Sequence, residues 1–152
     1  MYKIDINGKN FLEIDNNVID FLYNNRQKNF FSYEISGQLF GRVCGNVFLI
    51  NQITKTTEAY FSFYRVIPNR IQEQNDINDM FTKGYHYLGD WHSHPQAIPQ
   101  ISKLDEVSVV DCFKKSTHSL PFFFHIIIGK EKFNVYTVDE IDVNKVASFD
   151  YI

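Results

Sequence analysis

The chain has 152 residues, a length that fits one domain over 1–152 with a core of its own. Its net charge of −3, with no block of Lys or Arg, argues against a nucleic-acid groove as the main function. The start, Met1-Tyr2-Lys3-Ile4-Asp5, has no apolar signal core behind it, and no apolar run reaches membrane-spanning length, so the expected location is cytoplasmic.

Residues 2–6 alternate as a strand, Asn7-Gly8 is a hairpin signal, and 11–14 returns as its partner. Asp15 is placed to cap a helix over 16–27, whose Val18, Phe21 and Leu22 form one apolar stripe, with Asp20 and Asn24 left to solvent. Strands follow at 36–43 and 47–54, joined around Cys44-Gly45-Asn46. Gly37 and Gly41 weaken the first of these and need a reason: a bulge or close packing, or room beside a functional group. An aromatic strand is expected at 60–66, broken by Pro68. Asn69 should then cap a helix over 70–83 that buries Ile71, Ile77, Met80 and Phe81 and stops at Gly84. Cys44 and Cys112 lack C-x-x-C spacing and read as free thiols in the core.

The stretch Gly89-Asp90-Trp91-His92-Ser93-His94-Pro95 carries the chemistry. It ends an aromatic strand over 85–91, and strand alternation puts His92 and His94 on one face, Asp90 with them, and Trp91 and Ser93 on the other. Pro95 ends the ladder. Ser102 reads as the N-cap of a helix over 103–115, with Asp105 on its first turn. Each half has an ordinary reading: paired surface histidines, and a plain helix cap. Together they point to a metal site, because two imidazoles and a carboxylate leave a fourth tetrahedral position open, as in catalytic zinc centres. Asp90 is either an orienting partner for a ligand histidine or a solvated carboxylate, and His86, His118 and His125 match no ligand spacing and read as structural. An apolar strand at 121–128, a turn at 129–132 and a strand at 133–138 follow, and the acidic end from 139 is a last strand or a tail. The whole reads as an α/β layer structure around a mixed, mostly antiparallel sheet flanked by helices.

His92-x-His94, ten intervening residues and Asp105, with Ser102 three places before it, resembles the signature of the JAMM (JAB/MPN) metalloproteases. Glu34-Ile35-Ser36-Gly37-Gln38-Leu39-Phe40-Gly41 resembles that family's early glutamate segment, and the run from Tyr87 to Pro95 is most similar to its small single-domain bacterial branch, which includes deconjugating peptidases beside antiphage systems and mobile elements. The resemblance covers about residues 30 to 130. It implies a layered fold like that of cytidine deaminases, a Zn2+ held by His92, His94 and Asp105, Glu34 as proton shuttle and Ser102 as oxyanion donor. Spacing alone does not choose Glu34 over Glu58 or Glu13; the Glu34-x-x-Gly37 context does. It also favours room beside the metal as the reason for Gly37 and Gly41.

The implied substrate is a ubiquitin-like protein or its conjugate, with activating and conjugating enzymes encoded nearby, and neither nucleic acid nor membrane as partner. Alternatives are a sulfur-carrier-processing peptidase and a non-catalytic scaffold of the same fold. A nucleobase deaminase would need H-x-E and P-C-x-x-C, and no C-x-x-C is present. Short connections leave a strand edge, 47–54 or 60–66, to grip an extended tail.

Overall fold

The computed structural model describes residues 1–27, 34–56, 58–61 and 66–151. Ten strands and three helices follow in the order β1 (Tyr2–Asp5), β2 (Phe11–Ile14), α1 (Asn16–Asn24), β3 (Ser36–Cys44), β4 (Val47–Ile53), β5 (Glu58–Phe61), β6 (Val66–Pro68), α2 (Arg70–Thr82), β7 (His86–Ser93), α3 (Lys103–Lys115), β8 (Phe123–Ile128), β9 (Lys132–Val138) and β10 (Val143–Asp150). Eight strands form one sheet in the order β1-β2-β4-β3-β7-β8-β9-β10, and β5 and β6 pair separately. Within the large sheet β2/β4 and β7/β8 run parallel and the other neighbours antiparallel, so the mixed, mostly antiparallel expectation holds. The acidic end is a strand, and the Tyr2 hydroxyl donates to the carbonyl of Asp150 at 2.8 Å, drawing the two sheet edges together. No described helix is long and apolar enough to cross a membrane.

One face of the sheet is sealed by α1. Its Val18, Ile19 and Leu22 are buried, and the ring of Phe21 meets the fully buried Trp91 edge-on at 5.8 Å. Asp15 stands at the N-cap in extended geometry, but its side chain makes no cap bond, and its carbonyl takes the amides of Val18 and Ile19 instead. β8 is apolar except for His125, and all six of its residues are buried, as a strand covered on both faces must be.

The helices on the opposite face depart from expectation. Asn69 caps α2, accepting from the Gln72 amide at 3.1 Å, and Gly84, at φ +89°, closes it with the Tyr85 amide donating back to Met80. The predicted apolar side is not the buried one. Ile71 is 77% and Phe81 67% exposed, Ile77 and Met80 are half-buried, and no described α2 residue is fully buried. The cap fixes the helix phase: a stripe stepping from Gln72 and Glu73 to Asp76, Ile77 and Met80 turns inward, at helical spacing.

Three other expectations are corrected. Cys44 is exposed at the end of β3, and Cys112 is half-buried, in contact with the Tyr87 hydroxyl at 3.6 Å. β4 lies between β2 and β3, so 47–54 is no free edge for a peptide. The strand expected at 60–66 is divided between β5 and β6, with 62–65 outside the described residues. The glycines of β3 are explained by packing. A Cβ on Gly37 would run into the Thr54 carbonyl and the Trp91 indole nitrogen, and one on Gly41 into the Leu49 carbonyl, beside the register shift at Phe40/Gly41.

Gly41→Ala should therefore lower the thermal midpoint by about 2–12 °C, because overpacking against backbone costs about 1–3 kcal/mol. Phe81→Ser on the exposed side of α2 should change stability by no more than about 0.5 kcal/mol. Calorimetry of the two variants checks both.

Candidate metal centre

The site is built where β7 ends. β7 is hydrogen-bonded on one side to β3, with Ser36 opposite His92, and on the other to β8, with His92 opposite Ile127. Past the strand end the His94 amide still donates to Ile128, so His94 is held as firmly as a strand residue. Ser93, between the two histidines and fully buried, points the other way: its hydroxyl accepts from the Ile35 amide and its own amide donates to the Ile35 carbonyl, each at 2.9 Å. That pair of bonds brings Glu34, the residue before Ile35, alongside the motif.

The loop after His94 is pinned to the β8–β9 turn and to β9. The Lys130 amide donates to Gln96, the Glu131 amide to Ala97, and the Asn134 side-chain amide to Pro99 at 2.5 Å. Fixing this loop fixes the start of α3. There Ser102 and Asp105 form a reciprocal capping box: the Ser102 Oγ accepts from the Asp105 amide at 3.1 Å, and the Ser102 amide donates to Asp105 Oδ2 at 3.4 Å. Cap and carboxylate placement are one device, as the sequence suggested.

Three ligand-type atoms converge. The Nε2 atoms of His92 and His94 stand 2.8 Å apart, and they face Asp105 Oδ2 at 3.3 and 3.5 Å. Ligands about 2.0–2.1 Å from a tetrahedral ion lie about 3.3 Å from one another, so the two imidazole–carboxylate spacings match that set. The imidazole pair is closer, at hydrogen-bond length, so either the Nε2 hydrogen of one ring or a bound cation lies between the two nitrogens. The cluster fits a metal ion by donor type, by spacing and by charge. Glu34 Oε1 lies 3.8 Å from His94 Nε2, at the rim of the set.

The electrostatics agree. Burial works to raise the Asp105 carboxyl, but hydrogen bonds from His92 and His94, the charge of His92 and the bond from Ser102 outweigh it and hold it well below the usual carboxylate range. Burial works to lower His94, yet the hydrogen bond it donates to Asp105 and the charges of Glu34 and Asp105 raise it.

A cleft of about 190 Å³ opens from the centre between the sheet and the helices α2 and α3, and Glu34, Asp105, Glu73, Asp90 and His125 are among its walls. Asp90 shares the histidine face as alternation requires, but it orients no ligand: its Oδ1 accepts from the Tyr87 hydroxyl at 2.7 Å, and burial lifts its carboxyl to about 7. The group on the far nitrogen of His92 is His125, whose Nε2 lies 2.7 Å from His92 Nδ1. Burial, then the charge of His92, lowers His125 well below the ordinary histidine range. Sequence spacing missed this contact, since it is made across the parallel β7/β8 pair between residues 33 apart. The one available hint was a polar ring inside the run Phe123-Phe124-His125-Ile126-Ile127-Ile128. His94 Nδ1 faces Gln96 Oε1 at 3.5 Å. His118 is structural as expected, accepting from the Leu120 amide and bonding the Phe113 carbonyl.

The layered sheet and the paired-histidine, helix-cap carboxylate centre define an α/β domain of the JAB/MPN class. The chain belongs to the prokaryotic homologs of the JAB domain, which it matches over residues 20–143. It is 30% identical over 100 residues to a CD-NTase/cGAS isopeptidase of Escherichia coli, a match that spans 63% of this chain and 64% of that protein's length. Its fold is similar to a solution structure from Desulfitobacterium hafniense, at a TM-score of 0.65 and 18% identity over 88% of each chain. A second, from Salinibacter ruber, superposes at a TM-score of 0.57 and 13% identity, covering 88% of this chain and 87% of that one.

Zinc at about 100 times its dissociation constant should stabilise the protein by about 2.7 kcal/mol, raising the thermal midpoint by about 5–10 °C, and a chelator should reverse the shift. Asp105→Ala should abolish the shift, as thermal melts with and without zinc will test.

Proposed function

We propose that the protein is a zinc-dependent JAMM peptidase that cleaves the bond after the C-terminus of a ubiquitin-like modifier. The observation that carries this reading is the convergence of His92 Nε2, His94 Nε2 and Asp105 Oδ2, with the Glu34 carboxylate 3.8 Å from the set. The designation of the Escherichia coli relative supports an isopeptide bond as the one broken, in a conjugate of the CD-NTase/cGAS kind, and the likeness of the run from Tyr87 to Pro95 to the small bacterial branch supports a place in an antiphage defence system.

A bound zinc ion supplies a water acidified to a pKa of about 7 and polarises the carbonyl under attack. The chain supplies the rest. His92, His94 and Asp105 are the ligands. Glu34, whose side chain is 48% exposed, takes the proton of the attacking water and delivers it to the departing amine. Ser102 stabilises the charge that gathers on the carbonyl oxygen. In the cap its Oγ acts as acceptor, so the hydroxyl hydrogen remains free to be donated to the substrate. Cap and catalysis use opposite ends of one O–H group.

Glu34→Gln should lower the cleavage rate of a ubiquitin-like conjugate about 100- to 10,000-fold while the zinc-dependent thermal shift is kept. A Gln variant that cleaves normally would remove Glu34 from the mechanism. Ser102→Gly should separate the serine's two roles: glycine is nearly as good an N-cap, so stability falls by only a few tenths of a kcal/mol, roughly, whereas the lost donor slows turnover about 100- to 1,000-fold. Conjugate cleavage assays paired with thermal melts read both effects.

A further inference from the structure

We propose that His125 is the positioning residue for the ligand His92: it accepts the Nδ1 hydrogen of His92 and so dictates which imidazole nitrogen is presented to the metal. This rests on the metal reading above and extends it to a residue outside the motif.

The geometry is specific. His125 lies on β8, which runs parallel to β7 with Asp90 opposite His125, and its ring reaches one step along the strand to His92. The two rings are tilted by 49° with centroids 4.8 Å apart, an arrangement that aims one nitrogen at the other, and the Nε2···Nδ1 separation is 2.7 Å. His125 is 5% exposed, between Asp90 on β7 and Tyr136 on β9, and at that burial an imidazole without a partner is costly. Among the described residues His92 is its only hydrogen-bond partner.

Hydrogen counting then fixes the tautomers. His92 turns Nε2 toward His94 and Asp105, so a metal there takes the Nε2 lone pair. A neutral ring ligated at Nε2 carries its single hydrogen on Nδ1 and must donate it. The acceptor is His125 Nε2, which forces His125 into the Nδ1–H form. Before metal arrives the shared hydrogen can sit on either ring; ligation removes that freedom. In most such centres the outer partner is a carboxylate, a carbonyl or water. Here it is a neutral imidazole, which orients the ligand without adding negative charge.

The test has two independent arms. Zinc affinity is measured by competition with a chromophoric chelator for the wild type, His125→Phe and His125→Gln. His125→Phe, which cannot accept, should weaken binding about 10- to 100-fold, and His125→Gln, whose amide oxygen can accept, should recover most of it. Equal affinity in all three proteins would overturn the proposal. The second arm needs no variant: long-range ¹⁵N–¹H correlation spectra of wild-type imidazoles during zinc titration should show His92 becoming Nδ1–H and His125 Nε2 unprotonated. A loaded protein with hydrogen on His125 Nε2 would overturn the proposal while leaving the metal centre intact. Wild-type protein that takes up no zinc would instead strike down the centre itself, and the proposal with it.

Discussion

The two hydrogen bonds between Ser93 and Ile35 hold the site together. Ser93 belongs to the motif strand but faces away from the histidines, and with no exposed surface it serves to bind what lies around it: Ile35 by two bonds, and Gln27 Oε1, to which its hydroxyl donates at 3.5 Å. Its amide and hydroxyl both engage Ile35, so the chain entering β3 is tied to the spot where β7 leaves the sheet. A strand can aim two imidazoles at one point by alternation alone. It cannot supply a third kind of group there, and the Ser93–Ile35 tie brings in the carboxylate of Glu34 from a segment 58 residues earlier.

Asp105 answers the same problem from the other direction. A helix start needs an acceptor for its free amides and favours negative charge, and a tetrahedral centre needs an anionic ligand. One carboxylate meets both needs because the 95–101 loop, anchored through Gln96, Ala97 and Pro99, sets the first turn of α3 against the end of β7. The helix N-terminus partly offsets the charge of Asp105 when no cation is present.

What the sequence makes legible is what is local. Alternation placed His92, His94 and Asp90 on one face and Trp91 on the other; the cap signals at Asn69 and Ser102 marked the starts of α2 and α3 to the residue. Where tertiary geometry chooses, the reading fails. Ile71 and Phe81 keep helical spacing, yet α2 is turned so that Glu73 and Asp76 face inward, a choice made by its cap and by the polar cleft it borders. Gly37 and Gly41 make room for the backbone of a neighbouring strand, which no count along β3 reveals. His125 escaped for the same reason, since its contact depends on the β7/β8 register, while the β4 edge was lost because β2 pairs there in parallel across α1.

Exposure across the centre is graded in a way that fits the proposed division of labour. The side chains of His92 and His94 are 13% and 11% exposed, Asp105 28% and Glu34 48%. Ligands gain from dryness, because the attraction between a cation and its donors strengthens as water is excluded. A proton shuttle gains from the opposite, since it must move between the attacking water and the departing amine and stay free of the ion it serves. Glu34, the proposed shuttle, precedes β3 rather than lying within it, so the tie between Ile35 and Ser93 anchors it without also burying it. The sheet thus fixes where the carboxylate sits while leaving its head in water, and moving it inward by even one strand position would turn it to the other face and away from the paired histidines.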